Sequence, residues 1–270
     1  MKKLMSIAVA MAAGIVLATD GIESQNTVGY ASLNVSAGQI IGLGIQFNDT
    51  ATENTIAVKD LVTVDVPAGA NALGDTADQI WKWENNAWTK YFYRKRGATT
   101  YGWVKYDSSA STQPSVETSD TLGNGESVFF KRATGAGGAS LTLAGAVNLQ
   151  AATVSTDVAA GQIVQLANPW PTVFPVVNIA DCIPAADQAG ANALGDTADQ
   201  IWVWENNAWT KYFYRKRGAT TYGWVKYDSA ASSQPTTPTT DTIGIGQGFF
   251  FKRATGAGGT TVTFTKPASF

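Results

Sequence analysis

Residues 79–93 read QIWKWENNAWTKYFY, and this stretch decides the fold. Two runs rich in aromatic residues flank Asn85-Asn86, and such runs are typical of β-strands. Asparagine tolerates the positive φ values that a two-residue hairpin turn requires. We therefore predict an antiparallel hairpin in which Trp83 lies opposite Trp88.

Because successive residues of a strand point to opposite sides of a sheet, this register sorts the hairpin into two faces. One face is aromatic with a single charge and holds Trp81, Trp83, Trp88, Phe92 and Lys90. The other face is more polar and holds Lys82, Glu84, Thr89, Tyr91 and Tyr93. We expect the core of a β-sandwich to be formed by large aromatic side chains, namely Trp81, Trp83, Trp88 and Trp103. The tyrosines on the opposite face are then the better candidates for binding a ligand.

The hairpin lies within a block that the chain contains twice. Residues 68–108 recur as residues 189–229, and 40 of the 41 aligned positions are identical. The one difference is Lys82 in the first copy against Val203 in the second, on the more polar face, where we expect either residue to be tolerated. Each repeating unit spans about 120 residues, which is the size of a domain rather than of a solenoid repeat.

Both units are expected to consist of short strands separated by turns. The further predicted strands are residues 28–35, 39–47, 101–106, 127–131, 140–143, 154–158, 162–166, 222–227, 248–252 and 261–264. Residues 180–194 have room for at most one helical turn, because Pro184 and Gly190 oppose a longer helix. The pattern predicts an all-β chain of two tandem antiparallel β-sandwich domains, at residues 19–147 and 148–270.

Composition excludes several kinds of catalytic site. The 270-residue chain has no histidine, which removes Ser-His-Asp triads, Cys-His pairs and His-ligated zinc. Its 19 basic and 21 acidic residues give no long-range attraction to nucleic acid or to an anionic membrane. Residues 75–78, DTAD, could offer two carboxylates to calcium, but a turn or cap is the simpler interpretation. We predict a non-enzymatic protein with no catalytic residues, no metal and no cofactor.

The chain opens with the pattern of a secretory leader. Lys2 and Lys3 precede a mostly apolar run over residues 4–17, which ends in small residues at Ala18. We predict a signal peptide at residues 1–18, with an uncleaved anchor helix as the alternative. The mature protein is then secreted or on the cell surface, or alternatively periplasmic, and contains no transmembrane segment.

Cys182 is the only cysteine, so no disulfide can form within the chain. The repeat aligns it with Leu61, in Asp-Cys-Ile against Asp-Leu-Val. Free cysteine is among the most buried residue types, so we expect an inert core thiol rather than a nucleophile.

The second unit carries three short motifs in a suggestive order. Residues 165–171, QLANPWP, precede the strand 201–204, IWVW, and residues 246–252 read GQGFFFK. This order resembles a β-rich module of exported bacterial surface proteins, and residues 26–30, NTVGY, are similar to the mature start of exported proteins of the Verrucomicrobia-Planctomycetes kind. The first unit departs from the pattern, because residues 43–47, LGIQF, stand where the Asn-Pro segment would be. The resemblance implies an exported β-sandwich and assigns no catalytic residues.

These observations predict an exported structural or interaction protein whose partners are other copies of itself or surface glycans, and not nucleic acid. The alternative is a carbohydrate-binding module with one aromatic site in each repeat, because aromatic ring faces stack on sugar rings. The candidate ligand-binding residues are Tyr91, Tyr93 and Arg94 in the first unit, and Tyr212, Tyr214 and Arg215 in the second.

Overall fold

The computed structural model describes residues 28–49 and 54–270, and strands dominate both halves. The strands of the first half are β1 (Val28–Val35), β2 (Ile40–Gly44), β3 (Thr55–Ala57), β4 (Thr63–Val64), β5 (Gln79–Glu84), β6 (Ala87–Arg96), β7 (Thr99–Lys105), β8 (Thr121–Gly123), β9 (Ser127–Lys131) and β10 (Ala139–Ala146). Those of the second half are β11 (Thr153–Val158), β12 (Ile163–Ala167), β13 (Phe174–Pro175), β14 (Gln200–Glu205), β15 (Ala208–Arg217), β16 (Thr220–Lys226), β17 (Thr242–Ile243), β18 (Gly248–Lys252) and β19 (Thr260–Thr265). Short 3₁₀ helices span Val58–Asp60 and Val176–Cys182. The predicted all-β class is confirmed.

Each half is organised around a five-stranded antiparallel sheet, with strand order β2-β9-β5-β6-β7 in the first and β12-β18-β14-β15-β16 in the second. Smaller sheets accompany them, in the orders β1-β10-β4, β3-β8, β11-β19 and β13-β17. The equal order of the large sheets means that the sequence repeat is also a repeat of topology.

The central hairpin has the predicted turn and register. Asn85 and Asn86 have φ values of 51° and 58°, the left-handed conformation of a two-residue hairpin turn. Trp83 pairs with Trp88, and the same geometry recurs at Trp204 and Trp209 in the second half.

The alternation predicted which residues share a face, but the expected core was wrong for three of the four tryptophans. The main core packs on the tyrosine face, where Tyr91 and Trp103 are 1% and 3% exposed. Trp81, Trp83 and Trp88 lie on the opposite face of the same sheet, where Trp81 and Trp83 are partly buried and Trp88 is 39% exposed. Of the four, Trp103 belongs to the main core as expected.

The core runs through both halves. Buried residues of the first half, such as Leu43 and Phe130, belong to the same contiguous cluster as Leu166 and Phe251 of the second. Two smaller clusters flank it: Phe92 packs with Ala77 and Val104, and Phe213 packs with Ala198 and Val225. The division into two separate tandem domains therefore stays a prediction.

The halves differ after their 3₁₀ helices. In the first half, β4 adds a third strand to the small sheet by pairing Thr63 and Val64 with β10. The residue of the second half that aligns with Thr63 is Pro184, which has no backbone N–H to donate to a neighbouring strand. The corresponding sheet has only β11 and β19. The helix Val176–Cys182 begins before the region 180–194 in which one helical turn was predicted.

Cys182 is a core residue, as predicted. It is 6% exposed, its aligned partner Leu61 is 2% exposed, and both lie in the main cluster. Burial raises the pKa of the Cys182 thiol to about 12, so the thiol stays protonated at neutral pH.

We expect Cys182 in the folded protein to resist a thiol reagent such as Ellman's reagent, because the thiolate is the reactive species. Labelling should stay slow up to about pH 9 and become rapid and complete in denaturant. Fast labelling of the native protein at pH 8 would contradict this burial.

The predicted leader at residues 1–18 lies outside the described residues. In the part of the chain that the structure describes, no helix is long and apolar enough to cross a membrane.

Candidate functional site

The partly buried tryptophans of the two halves face each other across a seam. The indole Nε1 of Trp83 donates to the carbonyl oxygen of Ile163 at 3.0 Å, and Trp204 Nε1 donates to the carbonyl oxygen of Ile40 at the same distance. These bonds are equivalent under the sequence repeat, so the seam has the reciprocal character of a two-fold interface.

Backbone bonds across the seam are reciprocal too. The Gly44 N–H donates to the Gly246 carbonyl, and the Ala167 N–H donates to the Gly125 carbonyl, both at 2.8 Å. The approach is close enough to require small residues: a Cβ on Gly44 would lie 2.5 Å from the Ala167 Cβ, closer than real Cβ atoms approach one another. Backbone contact therefore sets how the two large sheets meet.

Aromatic rings fill the rest of the seam. Phe129 and Phe250 lie at its centre with ring centroids 5.7 Å apart. Trp88 contacts Phe250 at 6.1 Å and Trp209 contacts Phe129 at 5.9 Å, both edge to face. Edge-to-face pairs at such distances are favourable beyond the area they bury. The seam is thus a second, aromatic core shared by both halves.

One side of this seam opens into a cavity of about 180 Å³. Its walls are Ile40, Trp81, Trp88, Lys90, Phe129, Trp204 and Trp209. Trp88 and Trp209 are each 39% exposed at the seam, while Phe129 is 6% exposed. The Lys90 ammonium lies 5.1 Å from the Trp81 ring centroid, a cation–π distance. The site offers aromatic walls and one cation, and we call it the seam cavity.

The tyrosines predicted to bind a ligand lie elsewhere and mostly inside the protein. Tyr91 and Tyr212 are 1% and 2% exposed, and their hydroxyls donate to Asp120 and Asp241 at 2.7 Å. Tyr214 is 7% exposed. A ring that stacks on a sugar needs an open face, so the structure contradicts this role for all three. Their sheet face looked polar in sequence, but the main core covers it.

Tyr93 is the half-buried member of the predicted set. Its ring packs edge to face on Trp103 at 5.6 Å. The equivalent Tyr214 hydroxyl donates to Gln188, where the first half has Pro67 and no side-chain acceptor. Tyr93 therefore lies at the border of the core, away from the seam cavity.

The buried tyrosine hydroxyls belong to small charged networks. The Lys105 ammonium, 2.9 Å from Asp120, and the Tyr91 hydroxyl together hold the pKa of Asp120 below its usual value. Burial, with the nearby Asp120, raises the pKa of Tyr91. The network holds Tyr91 as a neutral donor, which is a structural role.

Arg94 and Arg215, predicted beside the ligand, are instead buried loop anchors at 2% and 3% exposure. Arg94 Nη1 donates to the Pro114 carbonyl at 2.6 Å and also to the Gln113 carbonyl. Its guanidinium lies 4.7 Å from the Tyr101 ring centroid. The arginine ties the Ser/Thr/Pro-rich loop at residues 107–118 to the sheet.

We expect Arg94→Ala to release this loop. Bonds from a charged donor to buried carbonyls are strong, so limited proteolysis within residues 108–118 should speed up by about tenfold or more. Arg96→Ala is the matched control, because Arg96 is exposed two residues further along the strand. Equal cleavage rates in the two variants would contradict the anchoring role.

The single difference between the repeated blocks, Lys82 against Val203, is accompanied by a second difference at a residue that Lys82 contacts. Lys82 reaches Glu84 at 3.2 Å and Glu126 at 3.5 Å, with only 16% of its side chain exposed. The second half has Val203, 1% exposed, and Gln247 where the first has Lys82 and Glu126. The expectation that either residue is tolerated at low cost stays a prediction, and the structure adds that the charge of Lys82 is matched to position 126.

Lys82→Val should lower the free energy of unfolding by about 0.5–1 kcal/mol, because it leaves two carboxylates without their shared cation. The double change Lys82→Val with Glu126→Gln copies the second half and should recover that loss. Urea unfolding of the single and double variants measures the coupling. Additive losses would count against compensation.

The two carboxylates of residues 75–78 form ion pairs with different partners. Asp75 is exposed and pairs with Lys131, whereas Asp78 is 0% exposed and bonds Arg132 at 2.7 Å. Asp78 also accepts the backbone N–H groups of Ala68 and Ala133, at 2.8 and 2.9 Å. This geometry matches the simpler interpretation, a turn stabilised by its carboxylates. Within residues 28–49 and 54–270, no group of three or more His, Cys, Asp or Glu side chains is placed to hold a metal.

The seam cavity was not predicted from the sequence. The available signal was that the aromatic residues of the hairpin occupy one face with a lone lysine, which is the composition of a binding surface as well as of a core.

Comparison with protein-family models, with curated proteins and with solved structures finds no match to this chain.

Proposed function

We propose that the protein is an exported, non-enzymatic structural or interaction protein whose repeating unit associates with other copies of the same unit. The observation that carries the proposal is the seam, where two nearly identical surfaces bind each other through reciprocal bonds. The bonds Trp83 to Ile163 and Trp204 to Ile40 are the kind that a symmetric dimer forms with itself. The repeating unit thus associates with its own copy within the chain, and association with another chain has to use a surface that the seam leaves free.

Charged groups support a scaffold role. The pairs Asp78–Arg132 and Asp199–Arg253 are buried equivalents, each with atoms 2.7 Å apart. A charged group held in a buried pair has a structural role, and it is poorly placed to react with a substrate that arrives from solution. Export to the cell surface, the medium or the periplasm is proposed from the leader pattern at residues 1–18.

The outer edge of β1 offers a route to other copies. β1 is a terminal strand in its sheet, and Val28 and Tyr30 on it are 65% and 60% exposed. Among the described residues, no strand pairs with this edge. An unpaired strand edge with exposed apolar side chains is a template for a strand of another chain.

The proposal is tested by light scattering and electron microscopy on the mature full-length protein over a range of concentrations. We expect larger species as concentration rises, and expect Val28→Lys to shift them toward monomer, because charge on an edge opposes strand pairing. Val116→Lys is the matched control, since Val116 is a loop valine at 75% exposure. A clean monomer at every concentration, without filaments or sheets, would overturn the proposal.

A further inference from the structure

We propose that the seam cavity binds a carboxylate-bearing sugar ring, such as a hexuronate unit of an acidic polysaccharide. This binding site goes beyond the proposed assembly function and does not depend on it. The first argument is the chemistry of the walls, because Trp88, Trp209 and Phe129 all line the cavity. Indole faces present the apolar surface on which the C–H face of a sugar ring packs.

The size of the cavity suits a single ring. The cavity measures about 180 Å³, whereas sites for drug-sized ligands span roughly 300–1,000 Å³. Trp88 and Trp209, which line the cavity, are both 39% exposed. A sugar ring inside the cavity can therefore be part of a polysaccharide that continues into the solvent. One unit of a longer polysaccharide fits this arrangement.

Charge selects an acidic sugar. Lys90 lines the cavity and lies over Trp81, and among the described residues it makes no ion pair with a carboxylate. Lys131 also approaches Trp81, at 5.8 Å, but its ammonium is bonded to Asp75. Lys90 is therefore the cation available to a ligand carboxylate, and a charge-assisted bond to it would be strong beside apolar walls.

The second half supplies an internal control. Lys211 is the repeat equivalent of Lys90 and lies 5.0 Å from the Trp202 ring centroid, but it is not part of the cavity wall. The two lysines share the same neighbouring sequence and the same ring contact. They differ in that Lys90 lines the seam cavity and Lys211 does not.

The test is isothermal titration calorimetry of the full-length mature protein with an oligogalacturonate, and with the same oligosaccharide after its carboxylates are reduced to alcohols. We expect the acidic form to bind and to perturb tryptophan fluorescence. Lys90→Gln should weaken its binding by about tenfold, since a charge-assisted bond is lost. Lys211→Gln should leave affinity unchanged. Added salt should weaken the wild type more than Lys90→Gln.

Three results would overturn the inference. They are no binding of the acidic form at millimolar concentration, equal affinity for the acidic and reduced forms, and equal losses in Lys90→Gln and Lys211→Gln. Light scattering in the same samples separates this inference from the assembly proposal, because a monomer that binds oligogalacturonate supports the site while contradicting assembly. A fourth result, binding that occurs only in aggregated samples, would place the ligand between copies and would also overturn the inference.

Discussion

Asp78→Ala is expected to lower the free energy of unfolding by about 3–5 kcal/mol. The carboxylate is fully buried and 2.7 Å from the Arg132 guanidinium, of which 2% is exposed. Removing it leaves a buried cation unpaired. It also removes the acceptor for the N–H groups of Ala68 and Ala133. Urea unfolding followed by tryptophan fluorescence measures the loss.

Asp75→Ala is the matched control, three residues earlier in the same turn. Its carboxylate is 74% exposed and pairs with Lys131 at the surface, so we expect the unfolding midpoint to stay close to that of the wild type. Asp199→Ala, the equivalent change in the second half, should behave like Asp78→Ala. A similar small loss for Asp78→Ala and Asp75→Ala would show that the buried pair does not brace the fold.

Phe129→Ala is expected to cost about 3–5 kcal/mol as well, because it opens a hole at the centre of the seam. Phe129 is 6% exposed and contacts rings of both halves, including Trp88 at 5.8 Å and Phe250 at 5.7 Å. The loss should also weaken the coupling between the halves, seen as a broader or divided unfolding transition.

A double-mutant cycle distinguishes seam coupling from general loss of packing. Phe129→Ala combined with Phe250→Ala should depart from additivity by at least about 0.5 kcal/mol, because the two rings touch. Phe213→Ala is the control partner: it is a buried phenylalanine of the second half, 0% exposed, in a small cluster away from the seam. Its loss should add to that of Phe129→Ala. Additivity in both cycles would contradict a shared aromatic core.

Much of the local structure follows from short sequence patterns. The Asn85-Asn86 turn and the alternation on either side predicted the hairpin register, because a two-residue loop leaves one way to pair its strands. The long strands were predicted to within a few residues. The two- and three-residue strands β3, β4, β8, β13 and β17 were missed, since so short a run has no periodicity of its own.

The candidate site was predicted less well. Alternation groups Tyr91 with Tyr93 and Trp81 with Trp83, but it does not say which group the rest of the protein covers. Polar neighbours such as Lys82 and Glu84 made the tyrosine face look exposed. In the structure their charges are paired, which lets that face carry the main core.

The sequence by itself determined the all-β class, the duplicated topology, the hairpin register and the buried thiol of Cys182, because turn conformation and side-chain alternation act between near neighbours in the chain. Only the tertiary structure decided that the tryptophan faces meet across a seam and that Lys90, but not the identically flanked Lys211, lines the seam cavity. These outcomes depend on contacts between residues 80 or more positions apart, such as Trp83 with Ile163. Identical local sequences cannot distinguish such environments, since what packs on a face is set by the other half of the molecule.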